Sequence, residues 1–198
     1  MLTLPCLLAC LFVRLVEHDD NILDKWARVI VMQDLIYLRS YPESIQLQVS
    51  QLLKSGKLGS TLQQRYPEQQ HHIQTDKALY ELTLALKQQW LKSSEPVSKV
   101  LFDPKIHLIH NALGTHSQVS RVQGGKLKSK NEIRVASLLK QLPLPILKMV
   151  VVHELAHLRE KDHNKAFYQL CQYMEPQYHQ LELDLRLFLT WRDSNAGV

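Results

Sequence analysis

Cysteine is scarce in this 198-residue chain, and the three present, Cys6, Cys10 and Cys171, make neither an even set nor a CxxC pair. That excludes a disulfide framework and a thiolate-bound zinc ribbon, and it fits a reducing, cytoplasmic compartment. Long apolar runs are missing as well. The most apolar stretch, residues 1–13, is too short for a membrane span, lacks a basic segment before it and ends at Arg14, so no membrane span and no export signal are expected. No internal repeat or low-complexity tract stands out. Residues 1–31 are expected to be dispensable for function, with Met32 as an alternative start ahead of a polar, helix-rich stretch.

The charge balance is moderate: 24 Lys and Arg against 19 Asp and Glu, a net +5, which favours anionic partners without naming one. Helix-like spacing appears at Ile45, Val49, Leu52 and Leu53, and stops at Ser55-Gly56. A further turn or two is expected before Pro67, and residues 73–91 carry a clearer stripe through Leu79, Leu82, Leu86 and Trp90. Residues 32–95 therefore read as a helical N-terminal region, with Ser93-Ser94-Glu95-Pro96 as connector. Beyond it, residues 106–109, 118–122 and 132–135 read as strands of a small antiparallel or mixed sheet, with turns at residues 111–114 and Gly124-Gly125. Helices follow over 146–160, behind Pro143 and Pro145; from near Asn164, with Ala166, Phe167, Leu170 and Cys171 inward; and from Pro176 through Leu181, Leu185 and Leu189. The expected fold is α+β, a small sheet packed on one central helix, with additional N-terminal and C-terminal helices.

The central helix carries His153-Glu154-Leu155-Ala156-His157, and His163 follows six residues later. With ten His and ten Glu in the chain, an accidental HExxH is expected only about 0.02 to 0.03 times. Positions i and i+4 share a helix face, so His153 and His157 aim at one point, while Glu154 is turned by about 100° to its side. Three imidazoles leave a fourth position open in a tetrahedral zinc site, the arrangement of a catalytic rather than a structural ion. A cation held by neutral ligands polarises an electrophile and makes water a nucleophile near neutral pH, and Glu154 is placed to take up the proton. His163 joins only if the chain reverses, because six more helical residues would carry it about 9 Å along the axis. Asp162 and Asn164 are the residues able to turn the chain or cap a following helix. Glu160 and His179 are the alternative third ligands.

Lys126, Lys128 and Lys130 alternate after Gly124-Gly125, with Arg134 further on. Beside a cleft they would attract a phosphate, a carboxylate or a nucleic-acid backbone, although no aromatic residues are interleaved for base stacking. His107, His110 and His116 have no ligand spacing and read as ordinary polar residues.

The stretch VVHELAHLREKDHNKAFYQL, residues 151–170, resembles the YgjP-like metallopeptidase domain, related to the SprT-like zincins. The match includes the third His after five residues, then Ala166 and Phe167. It extends more weakly over residues 97–190. Upstream, Arg121 and a glycine agree with the family pattern, whereas its Trp and Cys are missing. The resemblance implies a zincin-like fold, Zn2+ on His153, His157 and His163, and Glu154 as the catalytic glutamate. Residues 96–198 then form the metallohydrolase domain. The reaction expected first is hydrolysis of a peptide or protein substrate by a metallopeptidase. The alternatives are a nucleotide pyrophosphatase or phosphohydrolase, with Arg121, Lys126 or Lys128 neutralising phosphate, and a nucleic-acid-associated protease module acting through the basic loop.

Overall fold

The computed structural model describes residues 35–68, 70–106, 114–123 and 126–196, and side chains are described outside 114–130. The N-terminal segment 1–31, Met32, most of the strand expected at 106–109, His107, His110, the turn residues 111–113 and Gly124-Gly125 lie outside the described residues, as do the side chains of His116, Arg121, Lys126, Lys128 and Lys130.

Three helices come first: α1, Glu43–Lys54; α2, Leu58–Arg65; and α3, Asp76–Trp90. Helix α1 ends where Gly56 takes φ 67. The Gly56 N–H donates to the Leu53 carbonyl at 2.9 Å and the Lys57 N–H to that of Leu52 at 2.9 Å, the paired closure that a left-handed glycine permits. Helix α3 starts where Thr75 Oγ1 accepts the Ala78 N–H at 3.2 Å, satisfying one of its orphan donors.

Three strands follow: β1, Val97–Asp103; β2, Gly114–Gln123; and β3, Lys126–Ala136. They form a mixed sheet in the order β1-β3-β2, with β1 parallel and β2 antiparallel to the central β3. The two later strand expectations fall inside β2 and β3. Strand β1 was hidden by a register shift between Val97 and Lys99, which leaves Val97, Val100, Phe102 and Asp103 buried instead of every second residue. Central position explains why Ile133 and Val135 are fully buried. The Phe102 N–H donates to Asp76 Oδ1 at 2.9 Å, pinning α3 to the sheet.

The remaining helices are α4, Leu144–Ala156; α5, Lys165–Met174; and α6, Tyr178–Ala196. Nine of the 13 residues of α4 are buried, because it packs against α3, α5, α6, β2 and β3; a helix apolar on all sides belongs in a core. It stops at Ala156, four residues short of the expected Glu160, when bonding tightens into turns from the Leu158 N–H to the Leu155 carbonyl and from the Arg159 N–H to that of Ala156. In α5 the inner face is Phe167, Cys171 and Met174; Ala166 is exposed and Leu170 only half-buried, a correction of about one residue in the angle of that face. Leu181, Leu185 and Leu189 of α6 are buried as their spacing requires. Among the described residues no helix is long and apolar enough to cross a membrane.

One buried charge ties the helices together. Asp184 is fully buried, and its carboxylate accepts from Arg65 at 2.6 Å, the Tyr66 hydroxyl at 2.7 Å and Gln180 Nε2 at 3.0 Å. Removing the acceptor strands the half-buried Tyr66 hydroxyl and leaves a void where the fully buried carboxylate stood, whereas Arg65 is half exposed and water can replace what it loses. Asp184→Ala is therefore expected to cost about 2–4 kcal/mol, and Arg65→Ala about 1 kcal/mol or less, read as urea midpoints. Equal losses would contradict this division.

Candidate metal centre

The last turn of α4 and the loop after it bring His153, His157 and His163 together: one ring nitrogen from each lies within 4.8 Å of the others. Among the described residues this is the only group of three or more His, Cys, Asp or Glu side chains so arranged. His163 returns because the chain turns after Ala156. The Asn164 N–H donates to the Asp162 carbonyl at 2.7 Å, and Asn164 Oδ1 accepts the Phe167 N–H at 3.0 Å, capping α5.

The donor set suits a cation. His153 Nε2 and His163 Nε2 face each other at 3.1 Å, near the separation of about 3.3 Å for two nitrogens each about 2.0–2.1 Å from one tetrahedral ion. His157 Nδ1 lies 3.0 Å from the Glu160 carbonyl oxygen, which can only accept, so Nδ1 holds the proton and Nε2 keeps its lone pair for a metal. Glu160 thus contributes a main-chain carbonyl, and neither its carboxylate nor His179 joins the group. Behind the rings stands Phe167, with ring centres 4.9, 4.6 and 4.7 Å from those of His153, His157 and His163. Sequence reasoning assigned Phe167 only to a core face, and it passed over Tyr178, whose hydroxyl is 2.6 Å from His153 Nδ1. The aromatic after the third His was a signal for the first; nothing local marked the second, which comes from another helix.

Burial sets the protonation states. Burial, then the neighbouring His157 and His163, pushes His153 down to about 3, and burial lowers His157 too. Neutral imidazoles are the metal-binding form. Glu154 is 2% exposed, its Oε2 has no hydrogen-bond partner, and burial raises it to about 8. A carboxyl so placed is stable as the neutral acid until a cation arrives to stabilise its charge.

These shifts act oppositely on folding. Glu154, raised when folded, contributes stability present below its ordinary 4.5 and lost as pH rises through about 8. His153, lowered when folded, contributes stability present above 6.5 and lost as pH falls toward about 3. From about pH 6.5 to 8 the Glu154 effect stands alone between them. In chelator-treated protein the urea midpoint is expected to fall over that interval, and Glu154→Gln to flatten the profile. An equally steep profile in both proteins would rule out the buried carboxyl as its source.

Comparison with known proteins gives the family and redirects the chemistry. Residues 104–187 match the family model described as YgjP-like, metallopeptidase domain. The UTP pyrophosphatase of Escherichia coli (strain K12) is 58% identical over 159 residues, covering 80% of this chain and 95% of its own length. No solved structure matches. So close a relative, named for a nucleotide rather than a peptide, overturns peptide-bond cleavage as the leading reading: a shared metal scaffold leaves the electrophile open. By that identity and coverage, the chain belongs to the YgjP-like family.

Proposed function

We propose that this protein is a metal-dependent nucleoside triphosphate pyrophosphatase, hydrolysing UTP to UMP and pyrophosphate. The observation that carries the reading is the 58% identity to a UTP pyrophosphatase along 95% of that relative's length, together with a histidine triad able to hold the ion. Zn2+ is the proposed metal, since three imidazoles suit it, held by His153, His157 and His163. When bound, the ion supplies Lewis acidity toward the phosphoryl oxygens and lowers the pKa of water.

The chain's own residues do the rest. Glu154 follows His153 on the same turn of α4, with a buried oxygen free of partners, and takes the proton as water oxygen bonds to the α-phosphorus. The α–β bridging bond breaks and pyrophosphate leaves. Nine buried residues hold α4 rigidly, which keeps carboxylate and imidazoles in fixed relation. The basic positions Lys126, Lys128 and Arg121 belong to the β2–β3 hairpin, where Arg121 pairs with Lys128, and both strands pack against α4. As part of this proposal, these basic positions neutralise phosphate. We also propose residues 96–198 as the zincin-like hydrolase unit, residues 32–95 as its helical support, and the cytoplasm, where nucleotides are plentiful, as its location.

With Zn2+ and UTP, the purified protein is expected to release one UMP and one pyrophosphate per turnover, and ¹⁸O from labelled water should enter UMP only. Glu154→Gln should keep its metal and lose at least about 100-fold in kcat. Release of orthophosphate, or a fully active Glu154→Gln protein, would refute the reaction or the role, respectively.

A further inference from the structure

Tyr178 has no part in the chemistry above, yet it stands directly against His153. It is fully buried and is the first residue of α6. A buried phenol needs a partner for its hydroxyl. Its hydroxyl lies 2.6 Å from His153 Nδ1.

A neutral imidazole has one N–H and one lone pair, and the partner of one nitrogen decides the role of the other. For His157 that partner is the Glu160 carbonyl. With His153 Nε2 directed at His163 Nε2 and offered to the ion, its ring proton resides on Nδ1, and the Tyr178 oxygen is the group within reach to accept it. We infer that Tyr178 is a positioning residue that accepts the Nδ1 proton of His153 and holds Nε2 toward the metal. The inference rests on the reading of His153 as a metal ligand. The hydroxyl is what matters, since the ring of a phenylalanine would fill the same space.

The test compares wild type and Tyr178→Phe by competition for Zn2+ with a chromophoric chelator, and locates the His153 ring proton by ¹⁵N NMR of zinc-loaded protein. Tyr178→Phe is expected to weaken zinc binding by about 10–100-fold, and the wild type to display a hydrogen-bonded proton on His153 Nδ1. Wild-type affinity in Tyr178→Phe overturns the inference, as does a His153 proton on Nε2 in the zinc-loaded wild type. Should Tyr178→Phe fail to fold, the wild-type spectrum decides alone. A wild type that binds no zinc defeats the metal reading itself, an outcome distinct from tight binding in both proteins.

Discussion

A helix that ran on past His157 would carry His163 about 9 Å up its axis and away from the other two imidazoles. Everything in the site therefore depends on α4 ending at Ala156. No glycine or proline stops it there. The stop comes from tightened turns at Leu158 and Arg159, from the Glu160 carbonyl captured by His157, and from the cap that Asn164 provides for α5. The hydrogen bond that ends the helix also fixes a tautomer, so folding and preparation of the site are the same event.

The second constraint is dielectric. Helix α4 is enclosed by three helices and two strands, which would make it an ordinary core element if it did not carry Glu154, His153 and His157. Burying these groups costs free energy in their charged forms, and the protein lowers the cost by keeping the imidazoles neutral and the carboxyl protonated while no cation is present. A divalent ion reverses the balance for Glu154 at once. Phe167 packs against all three rings and Tyr178 meets His153 from behind, so the rings are held by packing as well as by hydrogen bonds. Rigid placement of this kind suits a reaction whose main demand is positioning and charge neutralisation, as phosphoryl transfer is.

Sequence and tertiary structure contributed differently to this picture. Amphipathic spacing located α1, α3 and α6, since one buried face repeats every three to four residues whatever it packs against. It misjudged the end of α4, because turns at Leu158 and Arg159 are built from residues with no turn preference, and it misjudged the inner face of α5 by including Ala166. Strand β1 escaped because its register shift breaks the alternation on which strand recognition rests.

At the site, the spacing of His153, Glu154 and His157 was legible for a covalent reason: i, i+1 and i+4 on a helix have a fixed relation before any packing occurs. By itself the sequence determined that relation, the helical character of the first half and the family resemblance. The isolation of Glu154 in an apolar interior and the meeting of Tyr178 with His153 across 25 residues were decided by tertiary structure alone. They depend on how elements distant along the chain pack, and no local pattern encodes such distances.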